Sequence, residues 1–315
     1  MQSFVALLKR EGLEHRSFVW APLSVLAMLI LASVLGLALM GTVDIQVSET
    51  TTRSGDSAIS LNPLAAASLV NFFDFNGWTD RELAQYMEIF RTSVATPFQI
   101  VYVFVLLFVL LGTVHDERKD RSVLFWKSMP VSDLESIASK IILAVWIAPV
   151  ITIAAIVIAQ IFLLTMVSGV AISEDLGDVG RLWWQSGLLI GTVQLFVGYF
   201  IQGFWALPMY AWLLLVSATA NKTPILWAVL VPFVPIILER MLFGTSIIFN
   251  GIGNHLQFVA LPSFASDVDE RIFQELPSLA DQLSLFLTTD LWLGVIVGAA
   301  LLYATVYFRS RFNEI

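Results

Sequence analysis

The chain of 315 residues predicts an all-α integral membrane protein with six transmembrane helices and external amphipathic or re-entrant helices. Three observations carry that expectation. Only 13% of the residues are charged and 57% are hydrophobic, whereas ordinary soluble domains carry about 25% charged residues. Uncharged runs recur at 17–43, 92–114, 141–173, 182–221, 223–238 and 291–308, and most are long enough to cross a hydrocarbon core of about 30 Å. Basic residues gather in alternate connections, as the topology of a multi-pass protein requires. With no cysteine, disulfides and thiolate metal sites are excluded, and the three histidines (His15, His115, His255) lack metal-ligand spacing.

Taken in order, the N-terminus places Phe4, Leu7 and Leu8 on one face, the pattern of an interfacial helix. Lys9 and Arg10 precede the first run as in a signal peptide. That run is far longer than an h-region of about 7–15 residues, so a retained span over 18–43 is expected. An external loop, 44–94, contains Thr79 and Glu82 in capping-box spacing, with Leu83, Tyr86, Met87 and Phe90 following on one face. This predicts a helix lying on the outer membrane surface or packed on the spans, before a second span at 95–114.

The connection 115–139 is the most polar stretch between spans. Seven of the twelve residues 116–127 are charged, around Leu124, Phe125 and Trp126. Ser132 and Glu135 form a second capping box, and Asp133 adds negative charge at the helix start. Pro130 disfavours helix just before it. A third span, 140–168, is therefore expected to begin as an extension of about two turns outside the membrane.

The run 182–221 would extend about 60 Å as one helix, twice the core thickness. It is either one helix over 184–217, bent at Gly203 or Pro208, or two spans that would invert the topology downstream; one bent helix is expected. The fifth span, 224–243, holds Pro232 and Pro235 and meets Glu239 and Arg240 after about 22 Å. Its apolar continuation, 244–287, reads as a partly buried external or re-entrant segment. The sixth span is expected at 289–308.

Orientation follows from lysine and arginine. With both termini, the 115–140 connection (through Lys140) and the 221–223 turn on one side, that side holds eleven of the seventeen basic residues, Arg309 among them. The other side holds six basic residues against seventeen acidic ones. The basic side is expected to be cytoplasmic.

The stretch ERKDRSVLFWKSMPVSDLESIASK, from Glu117 to Lys140, resembles the cytoplasmic loop of ABC-2 type transporter permeases, the membrane subunits of ATP-binding-cassette exporters. The likeness extends to ALPMYAWLLLVSA, closing the fourth span, and LERMLFGTS after the fifth. It implies one ABC-2 type transmembrane domain over 1–315, with a cytoplasmic coupling helix in the 115–139 loop, and a bacterial plasma-membrane location. The matching residues Glu117, Arg118, Asp120, Ser122, Leu124, Phe125, Trp126, Lys127, Pro130 and Ser132 would then couple to two copies of an ABC ATPase subunit. It also implies a second permease copy and an amphiphilic or hydrophobic cargo. The composition of the loop agrees, since aromatic residues ringed by polar ones suit a docking surface.

No phosphate-binding G-x-x-x-x-G-K-[ST] loop is present, and the cytoplasmic pieces are too short to fold a nucleotide-binding domain. ATP hydrolysis is therefore expected on a separate subunit; the chain is read as no enzyme, with no cofactor and no nucleic-acid partner. Glu239 and Arg240 are candidates for an outer gate, against the plainer reading of an interfacial pair. Gly187-x-x-x-Gly191 and Gly294-x-x-x-Gly298 permit close helix approach, within one chain or between two. The rival to transport is a membrane sensor or assembly scaffold whose external loop binds a ligand.

Overall fold

In the computed structural model the described residues are 2–40, 75, 77–120, 132–256 and 278–311. Nearly all of them are helical, and none lies in a strand. Six helices are long and apolar enough to cross a membrane, so the chain is a multi-pass membrane protein by length and composition. Residues 41–74, 121–131 and 257–277 lie outside the description; they hold most of the first loop, the centre of the polar connection and much of the segment after the fifth span.

The helices are α1 (Gln2–Glu14), α2 (Ser17–Met40), α3 (Asp80–Lys119) and α4 (Asp133–Ile142). A π-helical turn, Leu143–Ile147, joins α4 to α5 (Ala148–Glu174). Then follow α6 (Val179–Gln185), α7 (Leu188–Trp205), α8 (Leu207–Thr219), α9 (Pro224–Phe243), α10 (Ile247–Leu256), α11 (Leu279–Ser284) and α12 (Thr289–Arg311).

Both expected capping boxes form. The Thr79 hydroxyl accepts from the Glu82 N–H, Ser132 does the same for Glu135, and each glutamate bonds back to its cap N–H. The helix begun at Thr79 does not lie flat on a surface, however. It runs unbroken through Pro97 to Lys119, 40 residues or about 60 Å, so the helix that carries the second span starts at residue 80 and is longer than a bilayer core is thick. The residues read as a helix on the outer surface or packed on the spans are the far end of this rod. Leu83 is wholly buried there, and Tyr86 stacks on Trp78 with ring centroids 4.2 Å apart.

Two further rods match its length. The third span runs over Asp133–Glu174, 42 residues. The fourth starts at α6, turns at Gly187 (φ 59) and continues through α7 and α8. Between α7 and α8 only Ala206 departs from helix, at φ −92 and ψ 9. Its N–H still bonds to Gln202 O (3.0 Å), and the Tyr210 N–H bonds to Ala206 O (3.1 Å), so the direction is kept and this is one bent rod. Pro208, which lacks an N–H, supplies the bend.

The rods pack along a stripe on α3: Val94, Phe98, Tyr102, Leu106, Leu110 and Val114 recur every four residues and are all buried. Gly203 brings the fourth rod against the π turn, where an added Cβ would stand 2.7 Å from both Val145 Cγ1 and Trp146 Nε1. Gly298 does the same for α12, with a Cβ 3.1 Å from the backbone nitrogen of Pro208. Both glycine contacts lie within the chain.

Gly203→Ala should therefore destabilise the protein by about 1–3 kcal/mol through overpacking. Gly36→Ala, whose Cβ meets nothing within 4 Å, should be neutral or stabilising by up to about 1 kcal/mol. Thermal melting of the two purified variants in detergent checks this; equal melting temperatures would refute the close-approach argument.

Candidate functional site

The ends of five elements meet at one end of the bundle: α1, the last turns of α3, the first turns of α4, the end of α8 and the last turns of α12. Helical spacing prepares each contribution. Glu11 and His15 are four residues apart, as are Thr113 and Glu117, while Asp133, Ser136 and Lys140 follow one face of α4.

Lys140 is the hub. Its ammonium donates to both carboxylate oxygens of Glu11, at 2.8 and 3.0 Å, and to Thr113 Oγ1 at 3.1 Å. It also stands 2.8 Å from Glu117 Oε1. The other oxygen of Glu117 accepts from Arg309 Nη2 at 3.1 Å. Arg309 donates further to Ser136 Oγ and lies 3.5 Å from Asp133. The side chains of Glu11, Glu117, Lys140 and Arg309 are at most 3% exposed. His15 Nε2 completes the shell, 3.6 Å from Glu11 Oε2 and 3.1 Å from Thr113 Oγ1.

Burying these charges is costly unless each is paired, and here Glu117 bridges the two cations while Glu11 closes the lysine shell. Burial alone would raise the Glu11 carboxyl. The adjacent His15 imidazole and the Lys140 ammonium overrule it and hold the pKa at about 2, below the ordinary 4.5.

Beside this cluster α3 is fastened to the end of the fourth rod. Ser217 Oγ accepts from the backbone N–H groups of Val114 (3.1 Å) and His115 (3.0 Å). His115 Nδ1 bonds to Ala220 O at 3.1 Å. Arg118 donates to Ala218 O and, at 3.2 Å, to Asn221 Oδ1, placing a cation on the carbonyl end of α8. An open cavity of about 560 Å³ adjoins this end, walled by Trp212, Trp227, Val231 and Phe308, with Lys222 and Asn221 among its polar lining.

Of the residues assigned to coupling, Glu117 and Arg118 are thus turned onto their own chain. Asp120 is the exposed C-cap of α3 and Ser132 the N-cap of α4, marking the two mouths of the intervening segment. Ser122, Leu124, Phe125, Trp126, Lys127 and Pro130 lie outside the described residues. Sequence reasoning missed Glu11, Ser136 and Thr113 and used Lys140 and Arg309 only to orient the chain. Their four-residue spacings at the edges of apolar runs were the available sign.

At the opposite end, Glu239 caps a helix. Its carboxylate accepts from the Thr245 hydroxyl (2.6 Å) and the N–H groups of Ile247 (2.6 Å) and Ile248 (2.9 Å), at the start of α10. Arg240 is exposed, and no ion pair joins it to Glu239 among the described residues. From there α10 folds back until Asn254 O meets Trp205 Nε1 (2.7 Å) and the His255 ring lies against Gly294. Among the described residues no three His, Asp or Glu side chains gather as a metal would require. In comparisons with known proteins, no family model, curated protein or solved structure matches the chain.

Lys140→Met should cost about 3–5 kcal/mol by stranding two buried carboxylates, with part recovered in the double variant with Glu11→Gln; equal melting of the single and double variants would refute the pairing. Because folding depresses the Glu11 pKa, its contribution is full above the unfolded pKa near 4.5 and is lost as pH falls through about 2. The fall in melting temperature between those pH values should be smaller in Glu11→Gln than in the native chain. An unchanged acid profile would remove Glu11 from the account.

Proposed function

We propose that this chain is the membrane subunit of a two-component, ATP-driven exporter of the ABC-2 permease type. One observation carries the reading. The segment 121–131 connects α3 to α4 in the chain, and both helices enter the same buried ionic cluster as α1 and α12. A push on that segment is therefore delivered to four elements at once, through contacts that are short and charge-assisted. Glu117 and Arg118 act on this reading as transmitters inside the chain, while Leu124, Phe125 and Trp126 are the residues a partner would grip.

The excess of basic residues at the clustered end supports a cytoplasmic placement of that end and of both termini. The chain holds no phosphate-binding loop, so two copies of a separate ATPase subunit supply the energy beneath a pair of permeases. ATP-driven closure can bias the spans only through contacts that differ between the two states, and the 121–131 segment supplies them. The aromatic cavity beside Lys222, at about 560 Å³, lies in the range of small-ligand sites and suits an amphiphile with an apolar body and an anionic or polar head.

The test is co-expression with a candidate ABC ATPase followed by co-purification and ATPase assay. Phe125→Ala with Trp126→Ala should abolish co-purification while membrane insertion persists. Lys140→Met should keep the complex and lose cargo-stimulated ATP hydrolysis. Undiminished association and stimulation in the double alanine variant would overturn the docking assignment and favour a sensor or scaffold.

A further inference from the structure

At the end of the bundle remote from the ionic cluster, Arg91 of α3 points into the junction of α3, α5 and α7. Its Nη1 donates to Gly187 O, and its own carbonyl accepts from Gln160 Nε2 at 3.1 Å. Gly187 and Gly191 leave room for the guanidinium, since a Cβ on Gly187 would approach Nη1 to 2.9 Å and one on Gly191 closer still. Two buried donors remain without a protein partner: Arg91 Nε–H and the Gln99 side-chain amide, on a residue only 1% exposed. Both residues line one cavity of about 20 Å³, with Thr92, Ala95, Gln160, Gly191 and Leu195. That volume holds one water-sized occupant.

The charge around the cavity is one-sided. Among the described residues no carboxylate comes within 4 Å of Arg91, and Glu88, one turn earlier, acts on it only from farther away. The guanidinium also sits at the N-terminus of α7, which begins at Gly187 without a side-chain cap. A helix N-terminus carries about half a positive charge and normally attracts an acid. Here it meets a cation, and the small space beside them is lined by the two residues with spare donors. A water molecule satisfies a donor but leaves that charge unanswered; carboxylate and phosphate groups are too large for the space.

We infer that this cavity binds a monatomic halide, chloride in the cell, held by Arg91 Nε–H and the Gln99 amide. The bound ion fixes α3 to α5 and α7, which no ion pair joins at this end among the described residues, and the inference is independent of the transport reading.

The experiment is thermal melting of the purified full chain in detergent, titrating sodium chloride against sodium gluconate at constant ionic strength. The native chain should show a saturable rise in melting temperature with chloride, and likewise with bromide. Gln99→Glu places a fixed anion beside Arg91 and should melt at one temperature whatever the salt. Gln99→Leu removes one donor and should raise half-saturating chloride about tenfold. Identical melting of the native chain in both salts would assign the cavity to water alone. A chloride response undiminished in both variants would assign the effect to the protein surface; either result overturns the site.

Discussion

The ammonium of Lys140, two turns into α4 and only 2% exposed on its side chain, dictates much of the architecture around it. An unpaired cation at that depth would cost several kcal/mol, so the chain must bring acids to it. Glu11 arrives because α1 folds back under the bundle, and Glu117 because α3 continues past its apolar run. Two carboxylates around one ammonium leave an excess of negative charge, which Arg309 of α12 balances across Glu117. Removing any one of these elements leaves the buried cluster one partner short and its charges unbalanced. The cluster therefore specifies how the spans assemble at this end more than it adds raw stability.

Length sets the second constraint. Three rods of about 60 Å share the bundle with three spans of roughly half that length, while a bilayer core shields only about 30 Å. The surplus has to cover itself. At the end opposite the cluster it does so with a separate apolar core of Phe75, Leu83, Leu164, Ala171, Leu176 and Leu182. Arg181 fastens that core by pairing with Asp80 at 2.6 Å. The shorter spans have no such duty and turn their apolar surface outward: only 11% of the apolar window of α9 is buried within the chain, leaving lipid or another helix as its neighbour.

These two constraints explain what the sequence disclosed. The capping boxes at Thr79 and Ser132 were legible because cap and partner lie three residues apart. The six membrane-length helices were legible from apolar runs alone. The unbroken α3 was not, since Asp80, Arg81, Glu82, Glu88 and Arg91 read as the end of a loop, whereas the rod simply outruns the membrane. The ionic cluster was hidden for another reason: Lys140 meets Glu11 across 129 positions and Arg309 meets Glu117 across 192. Periodicity marks the face a charge occupies, not the helix it will face. Glu239 shows the same limit, because its neighbour in sequence is Arg240 while its partners are the amides that open α10.

Between the two fastened ends lies the place where the rods can yield. The third rod carries a π turn just before Pro149, and the fourth carries its bend just before Pro208. Gly203 lets the fourth rod approach the first of these irregularities at Val145 and Trp146, three residues before its own break at Ala206. At such positions the regular ladder is already interrupted, so bending there sacrifices fewer hydrogen bonds than bending elsewhere. One carbonyl of the π turn is held from outside: the Tyr102 hydroxyl donates to Ala144 O at 2.8 Å, so α3 grips the same level. A displacement applied at the ionic cluster thus reaches two rods whose weakest points adjoin each other.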